Sequence, residues 1–201
     1  ERALSIDGNL AEAHAAIARV LTSNSKYDAA QHEIATALRL DSESFEVNTA
    51  AARLNYAQGR YEDATRYYEK AASLMESDFS SVAMLIACYR SLGNQEGLRH
   101  AAQRTLARAE KIAAQEPDNG MAMGYVVMSL IALGQGDRAR ELAKRAMLLD
   151  PDNLTMRYNF ACGFVELQDT ETALKLLGAV LEKDTLETVN WAKVDPDLDA
   201  L

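Results

Sequence analysis

A periodicity of 34 residues constrains the fold of this chain more than any other feature of its sequence. The tetrapeptide Tyr-Asp-Ala-Ala at 27–30 recurs as Tyr-Glu-Asp-Ala at 61–64, which is 34 positions later. Each period contains two segments with apolar residues at helical spacing. One hairpin of such short helices cannot bury its apolar face alone, so the chain is predicted to stack several hairpins around a shared core.

Composition and charge narrow the class of protein further. Only 3 prolines and 10 glycines occur among 201 residues, which favours a nearly all-helical chain. The longest apolar candidate, 121–133, is shorter than a membrane span of about 20 residues, and no membrane insertion is expected. The net charge of −9 disfavours nucleic acid as a partner, because phosphate groups carry the same sign. We therefore expect a soluble, cytoplasmic protein.

The sequence contains no pattern typical of catalysis or metal binding. No glycine is followed by the Lys-Ser or Lys-Thr of a phosphate-binding loop, and no Gly-x-Ser-x-Gly motif occurs. The three histidines form no ligand pair, and Cys88 and Cys162 lie in different periods, 74 positions apart. We expect no catalytic residue, cofactor or metal in this chain, and any catalytic domain would lie in another part of a longer polypeptide.

The landmarks within each period are similar to those of tetratricopeptide repeats (TPRs). In that family the first helix carries a large and then a small residue at its packing contact, and a glycine forms the turn. The second helix carries a small residue where the two helices cross. The period 45–78 matches best, with Gly59 at the turn and Ala64 at the crossing. Other periods depart from the pattern, with Ser25 and Gln168 at the turn and Leu98 at the crossing.

This resemblance implies an all-α fold, a right-handed α-α superhelix of antiparallel helical hairpins in one solenoid domain. It divides the chain into the end of a preceding repeat, five repeats and a cap, at 1–10, 11–44, 45–78, 79–119, 120–153, 154–187 and 188–201. The third repeat has 41 positions rather than 34. The added residues make two helical turns, which lengthen its second helix without rotating the apolar face off the core. The cap is predicted to cover the last hairpin with Trp191 and Val194 and to present its acidic residues to solvent.

In TPR proteins the first helix of each repeat lines the concave groove, and that orientation selects candidate partner-binding residues. They are Arg19, Arg53, Tyr56, Arg90, Met128, Ile131 and Tyr158. The arginines would bind carboxylates through charge-assisted hydrogen bonds, and the methionine-bearing part would adapt to an apolar anchor. An acidic, partly apolar peptide or protein segment is therefore the predicted ligand. The alternative is that the arginines are ordinary surface residues and that Met128 and Ile131 pack within the fold.

The function predicted from these features is a protein-protein interaction scaffold. The chain is expected to begin inside a repeat. Its ending at 195–201 resembles tails that follow TPRs in bacterial signalling proteins, which implies the C-terminal part of a larger protein. Such proteins carry a nucleotide cyclase, kinase or DNA-binding domain of a transcriptional regulator. One alternative is the regulatory region of a multidomain enzyme, and another is a self-association module that forms a homo-oligomer. A second candidate surface is a basic ridge on the lengthened helix: His100, Arg104, Arg108 and Lys111.

Overall fold

The computed structural model describes residues 10–116, 118–183 and 186–201, and it is 79% helical with no strand among those residues. The predicted all-α fold is confirmed. The described helices are α1 (Ala11–Ser23), α2 (Tyr27–Leu40), α3 (Phe45–Ala57), α4 (Tyr61–Leu74), α5 (Ser80–Ser91), α6 (Gln95–Gln115), α7 (Gly120–Ala132), α8 (Gly136–Leu149), α9 (Leu154–Glu166), α10 (Thr170–Leu181), α11 (Leu186–Ala192) and a 3-10 helix (Pro196–Leu198). The predicted end of a preceding repeat at 1–10 lies outside the described residues except for Leu10.

The chain divides into two compact units, and the boundary between Ser81 and Val82 falls near the start of α5. Unit 1 contains two hairpins, α1 with α2 and α3 with α4, and α3 also packs against α1. In unit 2, α7 pairs with α8 and α9 pairs with α10, while α9 packs against α7. The continuity of the five repeats in one solenoid stays a prediction.

Small residues lie where the paired helices approach each other. In unit 1 the side chains of Ala18, Ala30, Ala51 and Ala64 have no exposed surface. A methyl group at these positions allows the helix backbones to come close together, and larger residues such as Ile34 fill the space beside them. The sequence therefore determines the hairpin through the size of the residue at each contact.

Each of the five described turns between paired helices contains one residue with a positive φ angle. These residues are Ser25 (57°), Gly59 (70°), Gly93 (67°), Gly134 (75°) and Gln168 (59°). In the first turn the Lys26 amide donates to the Leu21 carbonyl at 2.9 Å, and the equivalent bonds in the other turns measure 2.8–2.9 Å. This is the Schellman arrangement that ends a helix with a left-handed residue. Serine and glutamine adopt the conformation that glycine adopts elsewhere, so the tertiary context fixes the turn.

Helix α6 is the longest described helix, with 21 residues against 14 in each of α2, α4 and α8. Its second half packs closely, because Thr105 and Ala109 have no exposed surface. Ala109 belongs to the core that also contains residues of α7 and α8, and Leu106 packs against that core. No helix in the described part of the chain combines the length and apolar character that crossing a bilayer requires.

Candidate partner-binding site

In unit 1 the three candidate residues differ in their access to solvent. Arg19 on α1 is exposed, and Arg53 on α3 is half-buried. Tyr56 is 1% exposed, and its ring meets the ring of Tyr61 edge-on with centroids 5.5 Å apart. The tyrosine therefore packs between α3 and α4, and the two arginines are the candidates in unit 1 that solvent reaches.

In unit 2 the structure brings Met128 and Tyr158 into one cluster on α7 and α9. Tyr158, Cys162 and Val180 are buried together, and Met128 packs against them. The close approach of the two helices depends on Gly163, where a Cβ atom would lie 2.5 Å from Ile131 Cδ1 and 3.0 Å from Met128 Sδ. Ile131 itself is buried and belongs to the core.

Arg90 on α5 connects two distant parts of unit 2. Its Nη2 atom donates to Glu166 Oε2 on α9 at 2.5 Å, and its Nη1 atom donates to Asp197 Oδ1 in the 3-10 helix at 2.5 Å. The side chains of Arg90 and Asp197 are 28% and 10% exposed, so solvent and salt screen this pair less than a surface pair. One guanidinium therefore links α5 to both α9 and the C-terminal part of the chain.

Asp195 is a buried carboxylate surrounded by donors. It is 7% exposed, and it accepts a hydrogen bond from the Tyr158 hydroxyl at 2.7 Å. The Cys162 thiol lies 3.9 Å from the same carboxylate oxygen, and the Asp197 amide donates to the other oxygen at 3.1 Å. Burial of a charge is costly unless hydrogen bonds replace the lost water, and these three donors supply that replacement.

Apolar contacts accompany these polar ones. Trp191, Ala192 and Leu198 pack against the cluster formed by Tyr158, Cys162 and Val180. We call residues 188–201 the C-terminal segment. The unit-2 site comprises the residues around that segment whose side chains are polar, polarisable or charged: Arg90, Met128, Tyr158, Cys162 and Glu166.

The acidic side chains of the C-terminal segment do not all face solvent, whereas the sequence predicts that they do. Their predicted exposure to solvent is wrong for Asp195 and Asp197, which turn inward toward Tyr158 and Arg90. The expectation failed because helical spacing indicates which side of a helix is polar, whereas these residues lie in and beside a 3-10 turn. Glu166 was also not selected from the sequence, since its partner Arg90 lies 76 positions away along the chain.

The electrostatics of the unit-2 site keep its donors protonated. Burial, followed by the charge of Asp195, raises the pKa of the Tyr158 hydroxyl and that of the Cys162 thiol. The pKa of Glu166 is also raised, mainly by burial and further by Asp197, while Arg90 opposes the rise. Tyr158 and Cys162 are therefore hydrogen-bond donors at neutral pH, which suits a site that binds a carboxylate. No group of three metal-ligating side chains occurs in the described residues.

A second concave surface in unit 2 lies beside the end of α6. This cavity of about 250 Å³ is mostly apolar, and it is lined by Glu110, Ala113, Ala114, Met123, Val126, Leu142 and Arg145. The lengthened part of α6 forms one wall, and α7 and α8 form the others. None of the seven candidate residues predicted from the sequence lines it.

The sequence matches no protein-family model and no curated protein. Solved structures nevertheless share its fold. YrrB, described as a TPR protein with an unusual peptide-binding site, is 20% identical, with a TM-score of 0.53 over 96% of each chain. A thermophilic TPR protein from Thermus thermophilus is 19% identical, with a TM-score of 0.63 over 92% of this chain and 98% of that one. PilF of Pseudomonas aeruginosa is 13% identical, with a TM-score of 0.58 over 94% of this chain and 86% of that one.

Proposed function

Since this chain has the tetratricopeptide-repeat fold, we propose that it is a protein-interaction scaffold that binds a peptide or a partner segment on the first helices of its repeats. One observation supports this most strongly. In unit 2, Arg90 and Tyr158 donate hydrogen bonds to two aspartates of an acidic, partly apolar segment of the same chain. The surface therefore has the chemistry to bind the kind of ligand that the sequence predicts.

The proposed ligand is an acidic segment with apolar anchors. Arg90 supplies the positive charge, Tyr158 supplies a neutral donor, and Met128 supplies an adaptable apolar contact. In unit 1, the exposed Arg19 and half-buried Arg53 provide a further basic surface for carboxylates. We propose no catalytic role for this chain and no cofactor.

We propose that this scaffold belongs to a larger cytoplasmic bacterial signalling protein, because residues 195–201 resemble segments that follow TPRs in such proteins. The same tail favours the alternative of a regulatory region attached to a nucleotide cyclase or kinase domain. Self-association is a third candidate. It is favoured by exposed leucines in unit 2, namely Leu148 (82%), Leu174 (53%) and Leu149 (46%).

The test is a panel of labelled synthetic peptides that combine Asp or Glu with Leu or Trp, measured by fluorescence anisotropy. Matched peptides with Asn or Gln in place of the acids are the control ligands. The parent chain is expected to bind the acidic peptides, and the double variant Arg53→Glu with Arg90→Glu is expected to bind them more weakly. Its binding should also depend less on salt, because favourable charge pairs have been removed.

The matched control variant reverses two charges on α6, Arg104→Glu with Arg108→Glu, and is expected to bind like the parent chain. If that control loses binding while the Arg53 and Arg90 variant keeps it, the site lies on the basic ridge of α6. Light scattering over a range of concentrations separates a monomeric scaffold from a self-association module.

A further inference from the structure

Two aspartates of the C-terminal segment are bound separately by the unit-2 site. Asp195 accepts a hydrogen bond from the Tyr158 hydroxyl, and Asp197 accepts one from the Arg90 guanidinium. Pro196 lies between them and has no amide hydrogen, so the turn leaves no donor unpaired at that position. The site therefore recognises an Asp-x-Asp pair through two different donors.

Apolar side chains flank this acidic pair. Trp191 precedes it and Leu198 follows it, and both pack against the cluster of Tyr158, Cys162 and Val180. The order of contacts along the segment is thus a large aromatic anchor, two carboxylates and a leucine. The sequence independently predicts an acidic, partly apolar ligand for this surface, and the C-terminal segment has that composition.

The contacts of the segment are suited to reversible release. Trp191, Ala192 and Leu198 are only half-buried, so undocking exposes modest apolar area. Release also returns Asp195 to water, which can replace the hydrogen bonds that its carboxylate loses. Short elements with few fully buried apolar contacts open at lower free energy than the core of a domain.

We propose that the C-terminal segment is a tethered ligand of the unit-2 site, and that a partner segment with an apolar anchor, an Asp-x-Asp pair and a following leucine binds by displacing it. This inference rests on the proposed function, because it assumes that the unit-2 site binds peptides. A short tether gives an effective concentration on the order of millimolar, so the segment excludes weak ligands. A partner must bind tightly enough to displace the segment at that effective concentration. The C-terminal segment therefore autoinhibits the unit-2 site.

The first experiment asks whether the segment undocks when its charges are removed. The full chain carries the double variant Asp195→Asn with Asp197→Asn, which preserves side-chain size, and Trp191 is the single tryptophan of the sequence. Its emission is expected to shift to longer wavelength and its quenching by acrylamide to increase. The exposed Asp199→Asn variant of the same segment is the control and is expected to match the parent.

Cysteine reactivity provides a second measurement of undocking. Cys88→Ala leaves Cys162 as the only thiol, and Cys162 is 5% exposed beneath the segment. In that background the Asp195→Asn and Asp197→Asn changes should accelerate alkylation of Cys162 by at least about tenfold, because weaker charge-assisted bonds increase the open population. Unchanged emission and alkylation would overturn the proposal, as would loss of helicity in the double variant, which would make the segment part of the folded core.

The second experiment adds the ligand in trans. The probe is a labelled peptide with the sequence of residues 188–201. The full-length Asp195→Asn and Asp197→Asn variant is expected to bind it at least about tenfold more tightly than the parent, in which the intact segment competes. Adding Arg90→Gln to the variant should abolish the gain, whereas adding the exposed Arg99→Gln should not. Equal affinity for parent and variant, or a gain that survives Arg90→Gln, would overturn the proposal.

The outcomes separate this inference from the proposed function. If acidic panel peptides bind through Arg53 while the segment fails to undock in the double variant, only the inference is overturned. If the segment undocks and yet neither the panel peptides nor the 188–201 peptide bind any variant, both the proposed function and displacement by a partner are overturned.

Discussion

Buried side chains bonded within their own helix occur in both units, but unit 2 also buries a carboxylate whose partner lies on another element. In unit 1, Thr22 donates to the Ala18 carbonyl at 2.8 Å and Asn55 donates to the Ala51 carbonyl at 2.7 Å, each within its own helix. In unit 2, the buried Asp195 accepts from Tyr158, which lies 37 positions away on another element. A unit-1 helix thus satisfies these groups locally, whereas the Tyr158 bond to Asp195 forms only when the C-terminal segment is docked on the unit-2 site.

The two units also differ in the charge of the polar side chains that they bury. The buried polar residues of unit 1 include Thr22, Asn48 and Asn55, which are neutral, while unit 2 buries the carboxylate Asp195. A neutral side chain that is hydrogen-bonded to its own helix forms no contact that a partner chain could take over. A buried carboxylate bound by residues of another helix can be exchanged for a carboxylate of a different chain, and this is why we propose that unit 2 carries the regulated surface.

The largest expected effect tests how tightly unit 1 packs. Ala64 has no exposed surface at the crossing of α3 and α4, whereas the corresponding position of the α5–α6 hairpin holds Leu98, which is 6% exposed. Ala64→Leu should lower the free energy of unfolding by about 1–3 kcal/mol, because a close helix contact has no room for three more carbons. Chemical denaturation measures the change, and Ala35→Leu on the exposed side of α2 is the control. Equal stability of the two variants would mean that the α3–α4 hairpin tolerates leucine at the crossing as the α5–α6 hairpin does.

The next prediction tests the donor that stabilises the buried carboxylate. Tyr158→Phe leaves Asp195 with the Asp197 amide and the Cys162 thiol as described donors, and should destabilise the docked segment by about 1 kcal/mol. Fluorescence of Trp191 during urea titration is the measurement, since it reports the docked segment of unit 2. In unit 1, Asn55→Ala removes a bond within one helix and is expected to leave this signal unchanged. A shift of the Trp191 transition in Asn55→Ala would show that the two units are coupled.

A region of this chain is predictable from sequence when the residues that contact each other lie close together along the chain. A turn residue such as Gly59 or Gly134, or a small crossing residue such as Ala64, makes its contacts within its own hairpin. A 34-residue pattern therefore suffices to locate each of them. The bonds from Arg90 to Glu166 and Asp197 span 76 and 107 positions, and no local pattern indicates which carboxylates will meet it. The helices were therefore predictable and the seven candidate residues were placed by resemblance. The inward orientation of the C-terminal acids required the structure.

A smaller effect is expected at the turns, where the two units can be compared directly. Ser25 in unit 1 and Gln168 in unit 2 have the positive φ angles that glycine adopts in the other turns. Ser25→Gly and Gln168→Gly should each stabilise the chain by about 0.5 kcal/mol, because relief of backbone strain slightly exceeds the entropy that glycine adds to the unfolded state.

Gly59→Ala provides the reverse measurement. A Cβ atom there would meet no atom beyond the two adjacent residues within 4 Å, so any destabilisation reflects the local backbone conformation. Thermal unfolding of the three variants should therefore give opposite signs for the two directions of change. Destabilisation by Ser25→Gly or Gln168→Gly would mean that the side chain itself contributes to the turn.

The smallest expected effect is a pH dependence specific to unit 2. Burial raises the pKa of Glu166 above its ordinary value of 4.5, with Asp197 adding to the rise and Arg90 opposing it. The folded chain then binds this proton more tightly than the unfolded chain does. The contribution of Glu166 to stability is therefore greatest below about pH 4.5 and declines as pH rises through the pKa of the folded state.

Replacement of Glu166 by glutamine removes the titration while preserving the size of the side chain. The free energy of unfolding of the parent, minus that of Glu166→Gln, is expected to fall as pH rises from about 4 to about 7. Urea denaturation followed by Trp191 emission measures it, and the exposed Glu141→Gln variant on α8 is the control. If the difference instead rises over that range, the attraction to Arg90 outweighs the cost of burying the carboxylate. The unit-2 site would then favour a charged residue at this position, and an acidic partner segment would compete with Glu166 as well as with Asp197.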